Sequence, residues 1–120
     1  ALPNWLFSTG TLRILALLTI LNSPKPPPVL FIEEIENGLD PRTLNLLVEE
    51  IRNSLPTTQV ITTTHSPSFL DLMDLSHIVV AERIHGKTHY FRPDSDKSLE
   101  AWKKEFSAGQ LYLMDKLKKS

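Results

Sequence analysis

Val29-Leu30-Phe31-Ile32-Glu33-Glu34 decides how this chain is read. Four apolar residues stand together without polar alternation, prolines precede them and two acids follow. A short unbroken run of this kind suits a strand covered on both faces, as in a parallel sheet. Ligands of such sheets lie beyond the carboxyl ends of the strands. The strand therefore delivers Glu33 and Glu34 to the ligand side. A pleat turns neighbouring side chains to opposite faces while the strand lasts, so adjacent acids can take separate tasks. One can hold Mg²⁺ through a water shell; the other can orient and deprotonate an attacking water. The plain alternative is a pair of solvated acids at a strand end.

Downstream, Asn37-Gly38 signals a turn, and Asp40-Pro41 reads as a helix start, a capping carboxylate followed by proline in the first turn. Leu44, Leu47, Val48, Ile51 and Leu55 recur at helical spacing, which predicts an amphipathic helix over Pro41–Leu55. Asp40 is expected to cap it and also to face a partner. Gln59-Val60-Ile61-Thr62-Thr63-Thr64 is β-branched and reads as the next strand. Strand, helix and strand of these lengths imply a right-handed βαβ crossover and a parallel sheet. His65 then sits at the end of the second strand. Its imidazole falls beside the acids if the strands are neighbours, where it could hydrogen-bond a terminal phosphate.

Upstream, Ala1–Phe7 reads as a short approach, and Leu12–Leu21 is apolar nearly all round, interrupted by Arg13 and Thr19. A helix of that pattern is expected to be buried on most sides. It is too short for a membrane span, which needs about 20 apolar residues. Pro24, Pro26, Pro27 and Pro28 end it. Ser8, Thr9 and Gly10 stand just ahead of it, where backbone N–H groups and the helix dipole form an anion site. Ser8 can cap the helix or contact phosphate. Gly10 lets a phosphate come close.

Beyond His65, a short helix is predicted over Ser66–Met73, a third strand over His77–Arg83, a hairpin return over Thr88–Arg92, and helices over Leu99–Phe106 and Gly109–Leu117. The whole, residues 1–120, suits one small domain with 41% hydrophobic residues to supply a core. A net charge of −1 gives no general field to attract nucleic acid or an anionic membrane. The absence of cysteine excludes disulfides and thiolate metal sites and fits a cytoplasmic protein. The chain opens on Ala1 with structure expected almost at once, so a fragment of a longer protein is expected.

Taken in order, Ser8-Thr9-Gly10, Val29–Glu34, Leu39-Asp40 and His65 resemble the C-terminal half of ABC-type ATPases, most closely AAA-family ATPases of the SMC and RecF kind. Phe7-Ser8-Thr9-Gly10-Thr11-Leu12-Arg13 looks like their signature motif. Leu30–Pro41 looks like a Walker B strand running into a D-loop, and Thr63-Thr64-His65-Ser66 looks like the switch-histidine segment. Val80-Ala81-Glu82-Arg83, and Glu105-Phe106-Ser107 with Gly109, fit the same group. Each motif is common alone; their order is specific.

The resemblance implies a partial P-loop NTPase-type three-layer α/β fold with a mainly parallel sheet. It implies ATP and Mg²⁺ as cofactors, with Glu33 on the metal, Glu34 polarising the water and His65 sensing the γ-phosphate. Asp40 would work across a homodimer that sandwiches two ATP molecules, and Ser8, Thr9 and Gly10 would contact the nucleotide of the opposite subunit. Related proteins serve DNA repair, chromosome maintenance, phage defence and transport; DNA is a possible partner of the whole protein, and no membrane is expected. Three departures stand out. The signature has Thr9 in place of a second glycine. Glu33 occupies a place where Asp is usual. No Gly-x-x-x-x-Gly-Lys-[Ser/Thr] loop occurs in the sequence, so an N-terminal Walker A lobe is expected as a partner and the isolated chain is expected to be inactive. The rival readings are a Toprim-like nuclease, using Glu33 or Glu34 with Asp94 and Asp96 in metal-assisted chemistry, and a non-catalytic scaffold.

Overall fold

The computed structural model describes residues 8–99 and 102–117; the expected approach over Ala1–Phe7 lies outside the described residues. The chain divides into two compact units, Ala1–His65 and Ser66–Ser120.

The first unit runs α1 (Thr9–Leu21), β1 (Val29–Ile32), α2 (Pro41–Ser54) and β2 (Gln59–Thr62). The strands pair in parallel, with Val29 opposite Gln59 and Ile32 opposite Thr62. Side chains reinforce both ends of this pairing. At the start, the buried Thr58 hydroxyl donates to the Pro27 carbonyl at 2.8 Å. At the finish, Thr62 Oγ1 donates to the Ile32 carbonyl at 2.8 Å. Helix α2 forms where the spacing predicted, with Asp40 as its N-cap and Pro41 in the first turn. Leu44, Leu47 and Val48 are buried, each stabilising the fold by about 1.5–3 kcal/mol through apolar area removed from water. Ile32, Ile35, Leu17 and Leu21 are buried with them. Asn22 Nδ2, at the end of α1, donates to Glu50 Oε1 of α2 at 2.9 Å.

Two expectations of burial are corrected. Val29 and Phe31 of β1 and Ile61 of β2 are exposed, Phe31 at 74%. The open strip alternates with the covered one because, among the described residues, one face of this two-stranded sheet is packed and the other is exposed. Likewise α1 buries only Gly10, Leu17 and Leu21, leaving Leu12, Leu15 and Ile20 exposed. The apolar run forms the helix, and among the described residues no element covers its other sides.

The second unit holds α3 (Pro67–Leu70), the antiparallel hairpin β3 (Val80–Ile84) with β4 (Lys87–Phe91), and α4 (Ala108–Leu113). The predicted third strand begins three residues late: His77 ends a 3₁₀ turn, Leu75–His77, and β3 starts at Val80. The hairpin turns on His85 and Gly86, both at positive φ, the pair of left-handed residues that suits a tight two-residue hairpin. The expected helix over Leu99–Phe106 is instead 3₁₀ turns at Lys97–Leu99 and Trp102–Lys104. Helix α4 opens on a capping box between Ser107 and Gln110. It stops at Leu113 rather than reaching Leu117, because Asp115 adopts φ 55° and Lys116 N–H returns to the Leu111 carbonyl at 2.9 Å, the closing bonds of a Schellman motif. Gly109 N–H donates to the Asp71 carboxylate at 2.7 Å, and a Cβ at Gly109 would stand 2.3 Å from the Pro67 carbonyl. Leu70, Ile78 and Ala108 make one buried cluster of this unit, and Leu99, Leu111 and Leu117 another. Among the described residues, no helix is long and apolar enough to cross a membrane.

Candidate functional site

Parallel pairing brings the carboxyl ends of β1 and β2 to one edge of their sheet, and the candidate residues leave from there. Glu33 and Glu34 follow Ile32; Thr63, Thr64 and His65 follow Thr62, its register partner. Beyond the last pair, Thr63 N–H still donates to the Ile32 carbonyl at 3.0 Å, and Ile35 N–H to the Thr63 carbonyl at 3.2 Å. Glu34 N–H donates to the Thr63 hydroxyl at 2.9 Å. Thr63 thus locks the backbone of the acidic turn on three atoms.

Glu34 has φ 44°, a left-handed conformation that an ordinary side chain adopts at a cost of about 1–3 kcal/mol. The turn reverses between the strand and Ile35, whose side chain is fully buried. The backbone therefore leaves the regular pleat at Glu34. Both acids are exposed, and both line an open cleft of about 530 Å³ with Arg13, Leu17, Phe31, Ile32 and Asn37. His65 is exposed and does not line that cleft.

Glu36 was absent from the residues expected to matter. Its carboxylate reaches across to the end of β2, where Oε2 accepts from the Thr64 hydroxyl at 2.8 Å and Oε1 from the His65 backbone N–H at 2.9 Å. Partial burial opposes its charge. That is outweighed by the His65 and Glu36 backbone N–H groups, the Thr64 hydroxyl and attraction to the His65 ring, so its carboxyl titrates below the ordinary glutamate range. Sequence offered little signal for it: a third acid in a turn, with partners 28 and 29 residues away.

Arg13 was also missed as a site residue. Its guanidinium donates to the Glu33 carbonyl and, at 3.4 Å, to the Asn37 carbonyl. Here a usable signal existed, since a single cation inside an apolar helix needs partners when partly covered. The same end of α1 carries Gly10, which is buried against the Gly38 backbone. Within this chain, its missing side chain admits the turn after the acids. Ser8 is the N-cap of α1, accepting from Thr11 N–H at 3.2 Å, with Thr9 the first residue of the helix and exposed. Ser8–Gly10 and the acidic turn, far apart in sequence, are therefore neighbours.

Asp40 caps α2 through one carboxylate oxygen, which accepts from Arg42 N–H at 3.0 Å and Thr43 N–H at 3.1 Å, while the other accepts from the Thr43 hydroxyl. The Thr43 hydroxyl, then the Thr43 and Arg42 N–H groups, hold its carboxyl below the usual range. Asp40 is thus the N-cap of α2.

Mg²⁺ takes one or two carboxylates and fills the remaining positions with phosphate oxygens and water. The adjacent, exposed Glu33 and Glu34 fit that donor set. Among the described residues, no three or more His, Cys, Asp or Glu side chains gather to hold a metal by themselves. Asp94, named in the nuclease reading, is exposed within the 3₁₀ turn Pro93–Ser95.

A parallel βαβ unit with paired acids beyond its first strand defines a nucleotide-type α/β domain. Residues 1–71 match the family described as "AAA domain, putative AbiEii toxin, Type IV TA system", and the chain belongs to that family. Nucleotide binding and hydrolysis are the general business of such AAA domains. The matched region contains Ser8–Gly10, Glu33, Glu34, Asp40 and His65. No curated protein matches the chain.

Proposed function

We propose that this chain is the C-terminal lobe of an ABC-type ATPase head of the SMC and RecF kind, carrying the hydrolytic side chains while another lobe supplies the P-loop. One observation carries the reading: β1 and β2 are parallel neighbours, so Glu33, Glu34 and His65 issue from a single sheet edge. In this reading Glu33 holds Mg²⁺, which neutralises phosphate charge when bound. Glu34, at a left-handed backbone position lining the cleft, aligns the attacking water and accepts its proton. His65 hydrogen-bonds the terminal phosphate. Ser8, Thr9 and Gly10, at the N-terminus of α1, and Asp40, at that of α2, face the nucleotide held by a second copy. Two heads close around two ATP molecules in a cytoplasmic machine of DNA repair, chromosome maintenance or phage defence.

The open strip of Val29, Phe31 and Ile61 supports a missing layer. Apolar residues standing together on an exposed sheet face are a usual mark of an interaction surface. The Walker A lobe, packing there, would complete the three-layer fold and bring the phosphate cradle absent from the 120 residues.

The test is ATP turnover by the chain assembled with its P-loop lobe. Glu34→Gln is expected to lower kcat by about 10²–10⁴-fold, the scale of losing a general base, while nucleotide binding persists. Turnover that survives this substitution overturns the assignment of Glu34. Calorimetry on the chain alone is expected to show no micromolar binding of ATP with Mg²⁺; micromolar binding would overturn the two-lobe reading.

A further inference from the structure

We propose that Glu36 is a positioning residue that fixes the spacing between Glu34 and His65. The inference rests on the nucleotide reading above and adds a residue to it.

The two segments beyond the strands are stitched by two side chains. Thr63, the residue just after β2, binds the Glu34 and Ile35 backbone. Glu36 is the side chain from the acidic turn that reaches His65 itself. It divides its two oxygens, one to the Thr64 hydroxyl and one to the His65 N–H. The backbone at His65 is thereby tied to a residue two places beyond Glu34. The turn between them is held at Glu34 by Thr63 and at its far end by Asn37 and Leu39 N–H, which donate to the Glu34 and Glu36 carbonyls at 2.9 and 3.0 Å. A water aligned by Glu34 and a phosphate contacted by His65 must keep one separation, because misplacement of about 1 Å can cost 10²-fold in rate. Glu36 is the strut that sets it.

The chemistry predicts a distinctive order of substitutions. Gln can accept from His65 N–H with its oxygen and donate to Thr64 Oγ1 with its nitrogen, so Glu36→Gln preserves both links. Asp is one methylene shorter and cannot span both. Ala makes neither.

The experiment is a double-mutant cycle in ATP turnover, with the chain assembled with its P-loop lobe. Glu36→Ala and His65→Ala are each expected to lower kcat about tenfold with little change in KM, the scale of one lost hydrogen bond in the transition state. The double variant is expected to be no slower than His65→Ala, because Glu36 acts through His65. A purely structural Glu36 would lower stability without this dependence. Losses that multiply in the double variant overturn the positioning role and leave the nucleotide reading intact. A His65→Ala protein with unchanged turnover removes the assigned role of His65, and the proposal falls with it. Should Glu36→Ala fail to fold, Glu36→Gln and Glu36→Asp decide. Turnover near wild type for Gln and reduced for Asp supports the strut; a Gln variant as slow as the Asp variant overturns it.

Discussion

Gly10 and Gly38 meet backbone to backbone: a Cβ built on Gly10 would stand 2.0 Å from the Gly38 carbonyl oxygen. Gly38 itself has φ 75°. The approach joins the first turn of α1 to the turn that follows the acids, and it needs both glycines, one for space and one for conformation.

Replacing Gly10 with Ala should therefore cost about 2–3 kcal/mol, the upper part of the range for overpacking a close contact. Gly86 is the control. It also has positive φ, but a Cβ there meets nothing within 4 Å, so Gly86→Ala should cost only about 1–2 kcal/mol of left-handed backbone strain. Urea denaturation of the two variants measures the difference. Equal losses would show that the Gly10–Gly38 contact is unimportant.

Glu34 holds a strained backbone at φ 44°. Glycine adopts that conformation freely, at the expense of extra freedom in the unfolded chain. Glu34→Gly is therefore expected to gain about 1 kcal/mol of stability while removing hydrolysis in the assembled ATPase. Glu34→Ala removes the same carboxylate and keeps the strain, so it should gain nothing. Thermal unfolding of both variants separates strain from charge; a Gly variant less stable than the Ala variant contradicts the argument.

Acid should weaken the first unit through Glu36 and Asp40. Folding lowers both carboxyl pKa values, so each group stabilises the fold while ionised. The contribution is complete above the ordinary values of 4.5 and 3.8 and is lost as pH falls through the depressed values below them. Denaturation midpoints taken from neutral pH downward should fall in that window. Glu36→Gln and Asp40→Asn should each flatten the decline, and an unchanged slope in both would refute this source of acid sensitivity.

Arg13 spans the Glu33 and Asn37 carbonyls with two nitrogens of one planar group. Lysine presents a single ammonium and cannot reproduce that fork. Arg13→Lys is expected to lose about 1 kcal/mol, the scale of one net hydrogen bond at a partly exposed site, and Arg13→Ala at least as much. Both should slow turnover in the assembled protein by loosening the acidic turn. Full retention of stability in the Lys variant would indicate a single effective contact.

Local structure was largely legible. Asp40-Pro41 announced the start of α2, and Leu44, Leu47 and Val48 its buried face, because caps and helical periodicity act within a few residues. Burial was misjudged for Phe31, Leu12, Leu15 and Ile20, because an apolar run shows that a surface can be covered and is silent on whether this chain covers it. Glu33, Glu34 and His65 were picked out by their places at strand ends. Glu36 and Arg13 were not, since their partners lie 20 or more residues away and no local pattern marks such a bond.

The amino-acid order alone determined the strand that ends in two acids, the capped helix after it and the β-branched strand ending at His65, since these follow from propensities and periodicities of neighbouring residues. The tertiary structure alone decided which residues of the parallel strands pair, that Glu36 ties the His65 backbone, that Gly10 is filled by Gly38 and that one sheet face is left open among the described residues. Those features depend on which distant groups meet, and their geometry is set only when the whole chain is packed.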